Sequence, residues 1–217
     1  MNWLVRPSAT GYFKREWVTP VRLFDQQIVA YCRAWDIAGT LPSDENPNPD
    51  WTAGVLLAKT KQGRYIIVDV VRFRARIGEV IKRIIQTAKN DPPETKLILP
   101  QDAGAAGIAA AQDMIKQLLA EGIPARSRPT NKSKVIRFQP FAAAAEAKLV
   151  DYVEDVWNND YFAEAEAFDG SRNKKDDMCD ATSDAFITLA QQIQIPNFMH
   201  GLSQVTFGQL PTSLPTL

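Results

Sequence analysis

Three groups of acidic residues carry the chemistry that this sequence can perform. Asp36 closes the apolar run Tyr31-Cys32-Arg33-Ala34-Trp35, and Asp102 closes Leu97-Ile98-Leu99-Pro100-Gln101. Asp176, Asp177, Asp180 and Asp184 form the third group, at the start of a helix-like segment. Oxygen ligands of this kind suit Mg2+ or Mn2+, hard cations that prefer carboxylates and retain waters. Two such ions about 4 Å apart activate a water and neutralise the leaving oxygen of a phosphodiester. The lone histidine, His200, makes a histidine-built zinc centre a poor fit. If the three groups meet in space, the expected chemistry is cleavage of a phosphodiester backbone.

Each acid also has an ordinary explanation. An Asp at a strand end is often a turn former or a helix cap. Asp102 precedes Ala103-Gly104-Ala105-Ala106-Gly107, so capping of the next helix competes with ligation. Asp176 and Asp177 suit a helix start, where the dipole favours negative charge. Asp177, Asp180 and Asp184 share a helical face by their spacing, and Asp180 and Asp184 lie deeper than the dipole readily explains. Clustered carboxylates repel one another unless a cation offsets them.

The elements that must position these acids follow from the hydrophobic pattern. Residues 28–37 read as a buried strand, and 51–59 with 65–73 as a hairpin about Lys61-Gln62-Gly63-Arg64. Residues 78–88 have helical spacing at Val80, Ile81, Ile84 and Ile85. A short strand over 96–100 precedes a helix over 104–119, with Ile108, Ile115, Leu118 and Leu119 on its apolar side. Another strand starts at 123–125. Helices are expected over 135–147, 161–168 and 176–193, with a strand at 149–153. Early antiparallel strands followed by alternating strands and helices predict an α/β domain. Its mixed central sheet is flanked by helices on both faces, the order of the ribonuclease H-like fold. Sites in α/β sheets gather at the carboxyl ends of strands, where Asp36 and Asp102 both stand. Residues 1–27, broken by Pro7, Gly11 and Pro20, read as an N-terminal arm or linker remnant. Residues 28–195 read as the domain, and 196–217 as a flexible tail.

Composition is consistent with a globular enzyme acting on a polyanion. The 217 residues are 45% apolar and 23% charged, which is not a disordered composition. The net charge is zero, yet 64–83 and 126–137 are basic and 146–184 is acidic. Cys32 and Cys179 form neither a disulfide framework nor a zinc pattern, which points to a reducing compartment. No apolar run reaches membrane-spanning length.

Four stretches together resemble the nuclease domain of the large terminase subunit of tailed bacteriophages, over roughly 28–192. They are Ala34-Trp35-Asp36-Ile37-Ala38-Gly39-Thr40 with Asp50-Trp51-Thr52-Ala53-Gly54, Pro100-Gln101-Asp102-Ala103-Gly104-Ala105-Ala106-Gly107, Asn131-Lys132-Ser133-Lys134-Val135-Ile136-Arg137, and Lys174-Lys175-Asp176-Asp177-Met178-Cys179-Asp180. The resemblance implies two-ion cleavage of concatemeric DNA during genome packaging, with low sequence specificity and Mg2+ or Mn2+ as cofactor. It implies Asp36, Asp102 and Asp177 as core ligands, Asp180 as a fourth, and Asp176 and Asp184 as secondary ones. The family often carries His before the paired Asp; here Lys175 stands there and is expected to contact DNA. The implied partners are double-stranded DNA, the portal protein, the small terminase subunit and the ATPase domain of the same large subunit, in the host cell cytoplasm. No G-x-x-x-x-G-K-[ST] phosphate loop is present, so ATP hydrolysis is not expected of this chain.

Arg126, Arg128, Lys132, Lys134 and Arg137 occur with no acid among them and are read as sequence-blind DNA phosphate contacts, against the plainer reading of a solvated loop. Arg72, Arg74 and Arg76 would either line a groove or protect a sheet edge. Trp51 and Cys179 are read as packing residues. Two alternatives remain: another ribonuclease H-like nuclease such as a junction resolvase, and a non-catalytic module that docks the portal or the small subunit.

Overall fold

The computed structural model describes residues 11–129, 132–171 and 174–191. Strands β1 (Thr19–Pro20), β2 (Ile28–Asp36), β3 (Thr52–Thr60), β4 (Tyr65–Phe73), β5 (Lys96–Gln101), β6 (Ala125–Pro129) and β7 (Val150–Tyr152) form one sheet in the order β1-β7-β4-β3-β2-β5-β6. The β2-β3 and β3-β4 pairs are antiparallel, and the other pairs are parallel. Five helices cover it: α1 (Ile77–Asn90), α2 (Ala105–Ala120), α3 (Lys134–Glu146), α4 (Asn158–Ala167) and α5 (Asp177–Ala190).

Side chains on a strand alternate between its two faces, and β2 shows what that does here. Cys32 and Ala34 face one apolar layer, with Phe138, Phe141, Phe162 and Phe186 of the helices α3, α4 and α5. Trp35 faces the other layer, with Val80 and Ile84 of α1 and Leu118 of α2. The even-numbered face therefore delivers Asp36 to the α5 side. Gly54, paired with Trp35 across the ladder, makes room for that indole: a Cβ there would lie 2.7 Å from the ring.

Arg33, on the odd-numbered face, is almost fully buried. Its guanidinium donates to Asp91 at 3.0 and 2.5 Å, to Asp69 at 2.7 Å and to the Gly54 carbonyl at 3.2 Å. It thereby ties the end of α1 to three adjacent strands. A buried cation without such partners would carry a large desolvation cost.

Two features depart from the sequence reading. On α2, Ile108 and Leu119 are exposed, and Ala111 and Leu118 are the buried positions. This helix packs on β5 and the edge strand β6, at one side of the sheet, so a narrow stripe suffices. From Gly11 onward, moreover, the expected arm is part of the folded unit. Thr19 and Pro20 pair with Asp151 and Tyr152 of β7, and the fully buried Phe13 ring stacks on Phe141 and Phe162 at centroid distances of 5.9 and 6.2 Å. Residues 1–10, like the expected tail at 196–217, lie outside the described residues.

A mobile arm would contribute nothing to stability, whereas a buried ring does. Phe13→Ala is expected to lower the unfolding free energy by about 3–4 kcal/mol, read by urea denaturation. An unchanged midpoint would return 11–27 to the status of an appendage.

Candidate metal centre

Burial forces a choice on every carboxylate in α5. Asp177, Asp180 and Asp184 lie on one face of the helix, which packs across β2 and β3 and against α3. With Asp176 just before the helix, all four are at most 7% exposed. They line an open pocket of about 380 Å³ at the carboxyl ends of β2 and β5, together with Asp36, Asp50, Asp102, Lys132, Lys134 and Arg137. All six acids expected from the sequence therefore border one cavity.

Seven acids line this pocket, and they fall into two classes. Four have cationic partners. Lys134 Nζ lies 2.6 Å from Asp176 Oδ1 and 2.9 Å from Asp180 Oδ2. Arg137 lies 2.5 Å from the other Asp180 oxygen and 3.4 Å from Asp184. Asp50 pairs with Lys175 at 2.6 Å. The remaining three, Asp36, Asp102 and Asp177, have no ion-pair partner among the described residues.

Asp36 ends β2, and its Oδ1 accepts the Ile37 N–H at 3.1 Å. The next turn is fixed by Thr52, which donates to the Ala38 carbonyl at 2.7 Å and accepts from the Ala38 N–H at 3.1 Å. Burial, then the charges of Asp180 and Asp177, push the Asp36 carboxyl well above the usual carboxylate range. Asp177 is raised to about 6, chiefly by burial, although the Trp51 backbone N–H donates to it. Its Oδ2 is buried without a partner. Two strained acids facing one pocket, one with an orphaned oxygen, form a donor set that a hard divalent cation fits.

Asp102 is different. It stands one residue past β5 and is exposed on the pocket rim. The first turn of α2 leans on it: a Cβ at Gly107 would come within 2.5 Å of the Asp102 carbonyl oxygen. Among the described residues no group of three His, Cys, Asp or Glu side chains stands ready to hold a metal as placed. The reason is visible in the partition above. Lys134 and Arg137 already occupy Asp180, and Asp102 is set back at the rim.

A family model described as the Terminase RNaseH-like domain matches residues 33–189. The chain belongs to this family. No curated protein matches the sequence. Among solved structures, the terminase-type fold is similar to the large terminase nuclease domain of Thermus phage P74-26, at 15% identity over 81% of this chain and 90% of that one, with a TM-score of 0.54. It is similar to the large terminase nuclease of thermophilic phage G20c with bound magnesium, at 15% identity over 83% and 98% of the two chains, with a TM-score of 0.56. The human cytomegalovirus terminase nuclease domain, soaked with manganese and inhibitor-bound, gives 10% identity over 81% and 94%, with a TM-score of 0.57. The mixed sheet flanked by helices is the ribonuclease H-like fold.

Within this terminase domain several basic residues stand elsewhere than the sequence reading placed them. Arg137 is buried against Asp180 and Asp184 and borders the pocket. Lys134 bridges Asp176 and Asp180. Arg128 donates to Thr188 at 2.9 Å and lies 3.8 Å from Asp184. Lys175 donates to Asp50 and to the Asn48 carbonyl, so it holds the loop before β3. Arg126 and Lys132 are exposed. Of the three arginines read as groove or edge residues, Arg72 lies in the part of β4 beyond its pairing with β7, and Arg74 and Arg76 follow the strand. Arg72 and Arg74 both stack on the half-buried Trp51 ring, at 4.2 and 3.9 Å from its centroid.

Glu164 of α4 escaped the sequence reading, because its spacing marks only a short amphipathic helix. Its Oε1 accepts the N–H groups of Met178 and Cys179 at 2.6 and 3.2 Å, which caps the first turn of α5 from a neighbouring helix. Burial lifts its carboxyl to about 7. The folded state thus holds this proton more tightly than the unfolded chain. The group's stabilisation is complete below the ordinary Glu range and is lost as pH rises through about 7. Glu164→Gln keeps the acceptor and cannot ionise. From pH 5 to 8 the wild type should therefore lose on the order of 2–3 kcal/mol relative to this variant in urea unfolding. Parallel pH profiles for the two proteins would refute the assignment.

Proposed function

We propose that this chain is a divalent-cation-dependent endodeoxyribonuclease that cuts double-stranded concatemeric DNA during viral genome packaging, with little sequence specificity. The observation that carries the proposal is the separation of the pocket acids. Asp36, Asp102 and Asp177 alone among the described pocket acids lack an ion pair, in a site otherwise neutralised. Membership of the terminase family supports the same reading. Relatives recorded with bound magnesium, zinc and cobalt, or soaked with manganese, support Mg2+ or Mn2+ as the cofactor.

On this reading Asp36 and Asp177 hold the cation, and Asp102 joins from the rim. Two carboxylates with retained waters are a usual complement for Mg2+. When bound, the cation supplies positive charge beside the scissile phosphate and acidifies a water. Asp36 and Asp177 release their protons as it enters, so cation affinity rises with pH. Arg126 and Lys132, both exposed, meet DNA phosphates without reading sequence. Lys175 and Asp50 keep the β3 entry loop in place, which fixes the Trp51 N–H on Asp177. Beyond DNA, the partners that suit this role are the portal protein, the small terminase subunit and the ATPase domain of the large subunit, in the host cytoplasm. No helix among the described residues is long and apolar enough to cross a membrane.

Cleavage of supercoiled plasmid with Mn2+ tests the reading. Asp36→Asn and Asp177→Asn should each lose at least about 100-fold in rate, the scale of losing a group that stabilises the transition state. Both variants should melt no lower than wild type at pH 8, because each removes an unpaired charge from a buried site. Undiminished cleavage in both variants would sink the site, and a wild type inert with every divalent ion would favour a docking module. Mn2+ affinity, measured by calorimetry, should rise between pH 5 and 8 as Asp177 passes its value of about 6.

A further inference from the structure

We propose that the Lys134 ammonium stands in for a second divalent ion, so that the pocket takes one metal ion, on its Asp36–Asp177 side. The inference rests on the metal-dependent reading above and departs from the two ions expected from the sequence. It starts from the saturation of Asp180. One of its oxygens faces Arg137 at 2.5 Å and the other faces Lys134 at 2.9 Å. Lys134 also closes on Asp176 at 2.6 Å. A second dication beside Asp180 would meet carboxylates already paired with Lys134 and Arg137, would have only Asp36 as a neighbour free of an ion pair, and would sit beside a fixed positive charge.

The placement of Lys134 argues for a role beyond packing. It is the first residue of α3, whose cap is the Ser133 hydroxyl accepting the Ile136 N–H at 3.4 Å. A cation at a helix N-terminus opposes the dipole, so local preference is broken here, and Asp176 and Asp180 offset the cost. Local rules are most often broken at functional sites. The side chain is 45% exposed while its two carboxylate partners are nearly buried, so the ammonium spans the boundary between acids and solvent. Of its three N–H donors, two serve Asp176 and Asp180. The third suits an oxygen of a phosphodiester in the pocket, as a charge-assisted hydrogen bond. Asp177, whose Oδ2 is buried without a partner, is with Asp36 the acid left for the metal.

The test counts ions rather than turnovers. Mn2+ binding to the full chain at pH 8 is measured by calorimetry and by loss of the free-ion paramagnetic resonance signal. The wild type is expected to bind one ion. Lys134→Met and Lys134→Gln, both checked for folding by circular dichroism, should bind two, and Lys134→Arg should return to one. Two ions on the wild type overturn the proposal and leave the metal-dependent nuclease standing. One ion on the folded neutral variants also overturns it. Failure of any of these proteins to bind Mn2+ removes both readings together.

Discussion

A carboxylate taken out of water needs a proton, a hydrogen-bonded cation or a metal ion, and this domain brings four of them inside within 176–184. The rest of the architecture follows from how that demand is met. Helix α3 lies beside α5 and supplies Lys134 and Arg137. Helix α4 supplies Glu164 to the backbone of the first α5 turn. Trp51, just before β3, supplies its backbone N–H to Asp177. The acids left without a cationic partner are Asp36 at the end of β2, Asp102 just past β5 and Asp177 at the start of α5. What distinguishes the site is therefore the incompleteness of its compensation, and the cluster of acids by itself would say little.

Such a site works against the stability of the fold. Asp36 and Asp177 are held in surroundings that favour their neutral forms. The large apolar layers around Phe138, Phe141 and Phe162 on one side and Trp35 and Ile84 on the other carry that cost. The Arg33 network contributes specificity more than net energy, since buried ion pairs roughly offset their own desolvation. It fixes three strands and the end of α1 behind the strand that presents Asp36.

Much of this was legible in the sequence because it is periodic. Residues 28–37, 65–73 and 176–193 announce their strands and helix through spacing, and the acids at their ends announce a site. What failed to show was lateral. Nothing in Arg137 reveals that α3 will lie against α5, so a run of positive charge read as a surface when three of its members, Arg128, Lys134 and Arg137, are counter-ions of the acids in 176–184. Nothing in Glu164 reveals the helix terminus it will meet. The segment at 11–27 enters the sheet through a two-residue strand and two short 3-10 turns, too brief to leave a period. Asp102 was correctly placed at a strand end, but the sequence could not say that it stops one residue beyond the ladder, on the exposed side.

Strand β2 ties the interior and the site to one parity. Cys32 and Ala34 fill the layer that Asp36 completes, and Arg33 and Trp35 anchor the opposite layer. The register irregularity near Ile28 and Ala30 sits upstream of all of them. This strand can therefore exchange one side chain for another of similar volume, but it cannot gain or lose a residue beyond that point. Removing one would turn Asp36 toward the α1 layer and the Trp35 indole toward the α5 side, so the length of this segment matters to the pocket as much as its acids.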